Sequence, residues 1–133
     1  MKLQRIQNRL ARVVTKSPRF TRSIPLLRSL HWLPINFRCQ YKICLLAYKA
    51  LNEGYPAYLH DLLVPATAVR TLRSGGGVKL KVPKTRTKTG SRAFRVSGPV
   101  LWNSLPSSVT SAGSIAIFRK RLKTHFFDMA FPP

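Results

Sequence analysis

Twenty-four Lys and Arg face only three acids, Glu53, Asp61 and Asp128, giving a formal net charge of +21 over 133 residues. No fold can pair these cations internally. A body this cationic repels itself unless something polyanionic neutralises it. A nucleic-acid backbone is the first expectation for that polyanion, and an anionic membrane surface is the second.

The chain is nonetheless no disordered basic tail. Apolar residues make up 44% and aromatics 10%, enough for a modest core. The length suits one domain or a few small packed units. A core of that size is marginally stable and self-repulsion lowers the margin, so folding is expected to improve with a polyanion present or inside a larger parent. No run of 18 apolar residues occurs, so no transmembrane segment is expected. No secretory signal is visible, because the first apolar residues are spaced out between Arg and Gln. Cys39 and Cys44 suggest no disulfide scaffold. On one helix they would sit about 7.5 Å apart along the axis, beyond the roughly 7 Å limit for a bridged pair. Reduced thiols in an intracellular protein are expected.

Leu3, Ile6, Leu10, Val13 and Val14 recur at helical spacing between Lys2, Arg5, Arg9 and Arg12, an amphipathic helix with a basic flank that Pro18 ends. Ser23 and Pro25 mark a second helix start, followed by the apolar cluster Leu26, Leu27, Leu30 and Trp32. Pro34 opens a helix over 34–52 that is apolar on more than one face, through Ile35, Phe37, Tyr41, Cys44, Leu45, Tyr48 and Leu51. It reads as the central buried helix, with Gly54 as its stop. Residues 56–63 read as a short helix ending before Pro65, with Leu59, Leu62 and Leu63 inward.

Composition then shifts to Thr, Arg, Lys, Gly and Ser over 66–92, with Gly75 to Gly77 as a flexible turn. Val78, Leu80 and Val82 alternate with Lys79 and Lys81, a strand with one basic face. A second short strand is expected at 92–96, and a tight turn or short helix at 98–105 around Trp102 and Leu105. Ser114 caps a last helix in which Ile115, Phe118, Leu122 and Phe126 share a face.

The binding candidates are cations. Lys79, Lys81, Lys84, Arg86, Lys88, Arg92 and Arg95 follow one another on a strand and loop, an arrangement able to track a phosphate backbone. The competing reading is a solvated loop. Arg119, Lys120, Arg121 and Lys123 form a second group, for which complementing the helix dipole is an equal alternative. Trp32 and Trp102 each sit in an apolar run beside Pro, which favours packed anchors over base stacking. Cys39, Cys44 and His31 fit no common zinc spacing, and the cysteines lie about 140° apart around a helix. No cofactor or metal is expected. His60 and His125 read as surface residues. Gly75 to Gly77 lacks the Gly-Lys-Ser/Thr ending of a phosphate-binding loop. The first 23 residues hold seven Lys or Arg and no acid, which also suits a mitochondrial presequence.

Six segments occur in order: LQRIQNRLARVVT, PLLRSLHWLPINFRCQYKICLLAYKALN, YPAYLHDLL, LKVPKTRTKTGSRAF, GPVLWNSLP and FRKRLKTHFF. Together they resemble the C-terminal region, beyond the polymerase core, of reverse transcriptases from LINE-type (non-LTR) retrotransposons, over Leu3 to Phe131. RSLHWLP and GPVLWNSLP are its distinctive parts. The resemblance implies a parent with endonuclease and reverse transcriptase domains upstream, copying its own RNA into chromosomal DNA from a nicked strand. The region seen here would follow the thumb and touch template RNA or target DNA. Ser91 stands where the family often has an acid, which adds to the positive bias. The family's Tyr-x-Asp-Asp motif, whose paired carboxylates hold divalent metal, has no counterpart, since no Asp-Asp pair occurs. Three scattered acids cannot supply an endonuclease site either. No enzyme is expected.

The expectation is a mainly α fold with a minor β-ribbon: a small helical bundle, a basic hairpin and a C-terminal helix. Its parts are a helical 1–65, a basic Gly/Thr-rich loop and β-ribbon over 66–97, and a Trp-containing turn with a basic helix over 98–133, one small domain overall. The expected function is a non-catalytic, sequence-independent nucleic-acid-binding remnant of a retrotransposon reverse transcriptase. RNA or DNA would be held through phosphates, with no small-molecule substrate, in nucleus and cytoplasm. The alternatives are an inert decayed reading frame and a basic mitochondrial or ribosome-associated protein.

Overall fold

The computed structural model describes residues 2–66 and 78–132. The glycine turn expected at 75–77 lies outside them. The described residues form seven α-helices: α1 Lys2–Val14, α2 Ser23–Ser29, α3 Ile35–Glu53, α4 Ala57–His60, α5 Phe94–Ser104, α6 Ser107–Thr110 and α7 Ile115–Ala130. The mainly α class is therefore as expected. The chain divides into two compact units, one of Met1–Tyr41 with Lys123–Pro133, the other of Lys42–Leu122.

In the first unit, Ala11, Leu27 and Phe131 are buried, and Leu26, Leu30, Trp32, Phe127 and Ala130 pack against them. Trp32 is thus part of the apolar packing. Polar side chains fix α1 against the start of α3. The Gln7 amide donates to the Leu33 carbonyl at 2.8 Å, and the Ile35 N–H donates to Gln4 Oε1 at 2.8 Å. Gln4 Nε2 donates in turn to Gln7 Oε1 at 2.9 Å and Asn8 Oδ1 at 2.8 Å. A glutamine from α1 therefore serves one of the orphan N–H groups at the N-terminus of α3. The helix buries Gln7 and Ala11, and its apolar stripe of Leu3, Ile6, Leu10, Val13 and Val14 faces outward.

Two helix ends in this unit use a left-handed residue that is not glycine. After α1, Lys16 has φ 52°, with Ser17 N–H to Arg12 O at 2.9 Å and Lys16 N–H to Val13 O at 3.1 Å. After α2, His31 has φ 54°, with Trp32 N–H to Leu27 O at 2.9 Å and His31 N–H to Arg28 O at 3.1 Å. Both are Schellman closures with the side-chain strain left in place. His31 also stacks on Phe127, ring centroids 5.5 Å apart. At the end of α3 the expected Gly54 does take φ 64°, at no such cost.

The second unit is built on aromatic rings. Tyr48 stacks on Phe118 with centroids 4.2 Å apart, and Phe118 on Trp102 at 6.0 Å. Cys44, Ala47 and Ala50 on α3, Leu59 and Leu63, Leu80, Val96 and Leu105, Val109 and Ala112, and Leu122 are buried with them. The central role expected of α3 thus falls on its second half. The Tyr48 hydroxyl donates to the Ala112 carbonyl at 2.9 Å, its polar end satisfied inside the core. Ser114 opens α7 as expected, its hydroxyl accepting the Ile117 N–H at 3.3 Å. On α5, Gly98 packs closely, a Cβ there lying in van der Waals contact with the Phe94 ring at 3.4 Å and Leu63 at 3.5 Å.

The expected β-ribbon is a correction. Among the described residues, pairing is limited to a single antiparallel bridge between Pro65 and Leu80. Ala66 N–H bonds Lys79 O and Lys81 N–H bonds Val64 O, both at 2.8 Å, and the ladder goes no further. The other edge of residues 78–80 is occupied by helix α5 rather than by a strand. The expected second strand at 92–96 is instead a 3-10 turn, Gly90–Arg92, running into α5. The tight turn or short helix expected at 98–105 is a helix, the body of α5.

Replacing Tyr48 by Phe leaves the Ala112 carbonyl buried without a donor and is expected to cost about 1–2 kcal/mol, read from chemical denaturation. Lys16→Gly relieves a left-handed lysine on an exposed turn. It is expected to raise stability by about 0.5–1 kcal/mol, seen as a higher melting temperature.

Candidate nucleic-acid interface

The basic segment begins on a latch. Asn103 of α5 donates from Nδ2 to the Leu80 carbonyl at 2.7 Å and accepts the Leu80 N–H at 2.8 Å on Oδ1. One side-chain amide thereby takes the place of a neighbouring strand. Beside it, Trp102 Nε1–H donates to the Val78 carbonyl at 2.9 Å. Leu80 points into the core, so Lys79 and Lys81 must point outward, the alternation of an extended chain.

The chain then runs past Pro83 into a polar turn. Thr87 Oγ1 accepts the Gly90 N–H at 3.0 Å, and the Ser91 hydroxyl donates to the Lys88 carbonyl at 2.7 Å. The loop is thus shaped by its own Thr and Ser side chains. Lys79, Lys81, Lys84, Arg86, Lys88, Arg92 and Arg95 are all exposed. Helix α5 carries no acid in its first turn and no side-chain cap at Ala93. The positive end of its dipole therefore adds to Arg92 and Arg95 instead of offsetting them.

The second group lies on α7. Arg119, Lys120, Arg121 and Lys123 are exposed, while Phe118 and Leu122 beside them are fully buried. Arg121 Nη1 donates to the Ser108 carbonyl at 2.7 Å, which fixes that guanidinium while leaving its charge uncancelled. Arg119, Lys120 and Arg121 belong to the second unit with the basic loop, and Lys123 to the first.

The other residues considered in the sequence fall outside this surface. Trp102 is buried and its indole N–H is engaged, so it is an anchor. Cys39 is exposed and Cys44 is buried, both as free thiols. Burial pushes the Cys44 thiol from 9.0 up to about 12, which suppresses the thiolate needed for metal binding or nucleophilic attack. Among the described residues, no group of three His, Cys, Asp or Glu comes together. His60 lies beside Asp61 at 3.5 Å, both largely exposed. Two concavities adjoin Trp102, of ≈ 90 Å³ and ≈ 480 Å³. The larger is bordered by Pro65 and Val78, and neither holds a pair of titratable groups facing one another.

Compared with protein-family models, curated proteins and solved structures, the chain matches none. The site therefore rests on its own geometry. Sequence reasoning missed Asn103, whose amide positions the start of the basic segment. The signal was present in its place directly after Trp102 within GPVLWNSLP, between a residue bound for the core and a serine.

The two thiols are expected to separate cleanly in labelling. Cys39 reacts with a thiol reagent in the native protein and Cys44 only after denaturation. Because the folded state holds the Cys44 proton above its unfolded value of 9.0, stability is complete below pH 9 and falls as pH rises toward 12. The loss should reach about 1 kcal/mol by pH 10. Denaturation midpoints of wild type and Cys44→Ala between pH 8 and pH 10.5 check this, the variant having the flatter profile.

Proposed function

We propose that this chain is a non-catalytic nucleic-acid-binding remnant of a retrotransposon reverse transcriptase, corresponding to the region beyond the polymerase core. The resemblance over Leu3 to Phe131 supports the ancestry. The observation that carries the activity is the run of seven exposed cations from Lys79 to Arg95, in a chain with no acid between Asp61 and Asp128. Among the described residues no acid pairs with this run, which would meet phosphates without reading bases. Arg119, Lys120 and Arg121 extend the positive surface of the same unit.

The mechanism is counterion release. Each phosphate neutralised releases condensed cations, so affinity falls steeply with salt and depends little on sequence. Binding is to RNA or DNA, in the nucleus and cytoplasm, with no small-molecule substrate and no chemical step. The segments that carry the resemblance also carry the basic loop: LKVPKTRTKTGSRAF supplies the cations and GPVLWNSLP the latch that holds their first residues.

Filter binding to RNA and to duplex DNA across a salt series tests the reading. Seven contacts correspond to a slope of log K against log salt of about −5 on single strands and about −6 on duplex. The triple variant Lys84→Gln, Arg86→Gln, Lys88→Gln is expected to flatten that slope by about 2–3 while leaving the melting temperature unchanged. Affinity indifferent to salt would overturn the proposal.

A further inference from the structure

The strongest feature outside the basic loop is the outward face of α1. Leu3, Ile6, Leu10, Val13 and Val14 are 57%, 53%, 51%, 73% and 56% exposed. At about 100° per residue they fall within an arc of roughly 100°. An isolated exposed leucine needs no explanation, but a stripe of five on one helix does. The stripe is also held outward. Gln4 and Gln7 bond the start of α3, and Ala11 is fully buried, so α1 cannot roll its apolar side inward without breaking both bonds.

The spacing of the stripe is that of a helix-pairing seam. Leu3, Ile6, Leu10 and Val13 step by three, four and three, the alternation of positions a and d in a heptad. In that register the flanking g positions are Lys2 and Arg9, both exposed. The other flank starts at Gln7, which is turned into the protein. The open polar edge of the seam is therefore wholly cationic.

We infer that α1 is a docking helix whose seam takes an amphipathic helix of a partner protein, with aliphatic residues facing Leu3, Ile6, Leu10 and Val13 and acidic residues facing Lys2 and Arg9. Charge complementarity selects this occupant. A second copy of this chain would bring another +21 and no acid to the seam. A helix lying on a bilayer keeps the whole of its polar face toward headgroups and water. Here part of the polar side is turned into the protein, with Gln7 buried and bonded to the Leu33 carbonyl. The inference uses residues separate from the basic loop and does not rest on nucleic-acid binding.

The test uses the full chain and a fluorescent synthetic peptide of three heptads, with Leu at a and d and Glu at e and g, read by anisotropy at physiological salt. A peptide of the same composition with its leucines scrambled controls for charge alone. The heptad peptide is expected to bind at least tenfold more tightly than the scrambled one. Ile6→Asp with Leu10→Asp should erase that advantage while RNA affinity is retained, which separates this inference from the preceding proposal. Lys2→Glu with Arg9→Glu, which touches no packed side chain, should weaken the Glu peptide at least fivefold and favour a counterpart bearing Lys at e and g. This second pair decides the matter if the first fails to fold. Equal binding of heptad and scrambled peptides would overturn the inference. So would unaltered binding by both variants, preferential binding to phosphatidylserine vesicles over the peptide, or self-association abolished by the Ile6 and Leu10 changes.

Discussion

The second unit depends on the stack of Tyr48, Phe118 and Trp102 and on where its polar ends are tied. Three large rings supply apolar area that short helices cannot, since α4 and α6 are four residues each. The hydroxyl and indole N–H are fixed to the carbonyls of Ala112 and Val78. Both acceptors are backbone atoms in segments that are not helical. The rings thus fill the core and also pin the irregular chain to it. Buried donors in an acid-poor chain have few side-chain acceptors, and carbonyls fill the gap. The cations show the same habit. Arg12 donates to the Thr21 carbonyl at 3.0 Å, and Arg121 to that of Ser108. A carbonyl holds a guanidinium in place without cancelling its charge, so the fold acquires order and keeps its field.

Much of the helical framework was legible in the sequence because its signals are local. Pro34 before an apolar run, Gly54 after it and Ser114 ahead of Ile115 each act on the two or three residues beside them. Periodicity identified the buried face of α7, where Phe118, Leu122 and Phe126 are all buried. The β-ribbon failed for a non-local reason. Val78, Leu80 and Val82 do alternate like a strand, and residues 78–81 are paired like one on one edge. The other edge meets an asparagine on a helix, and no pattern within 78–82 encodes that Asn103 satisfies both backbone groups of Leu80. The seven cations of the basic run were legible one by one as surface residues, but the latch at its start was not.

The outward face of α1 was misleading for a related reason. Hydrophobic periodicity says that a helix has two faces; it does not say which one its own protein takes. Ala11 and Gln7 lie at the edge of the apolar stripe, and the amides of Gln4 and Gln7 supply what the start of α3 lacks. A helix beginning at a proline-led turn with no acid in its first turn needs a partner for its N–H groups, and α1 provides one. That need decides the rotation of α1. The aliphatic side is left over as a consequence. Lys16 and His31 escaped notice because a left-handed helix end is usually announced by glycine, and here the closure is made by residues that carry the strain.

Stability and the proposed binding are linked through the same charges. With three acids available, neither unit can relieve its repulsion by internal pairing, and a polyanion that binds the folded state raises its apparent stability by mass action. The unfolded chain carries the same +21, however, so net charge alone does not favour the folded state. What the fold adds is the spacing of charge. Residues 79–95 are drawn into an extended stretch, a tight turn and the first turn of α5, which sets seven cations at fixed intervals on one unit. A flexible chain must order those side chains and their backbone at the moment of binding, at a cost in conformational entropy that the latched loop has partly met already. On the proposed reading, any excess affinity of the folded state for phosphate measures how much of the cation spacing is set by Trp102, Asn103 and the Thr87–Ser91 turn, and stabilisation by a polyanion would report the same quantity.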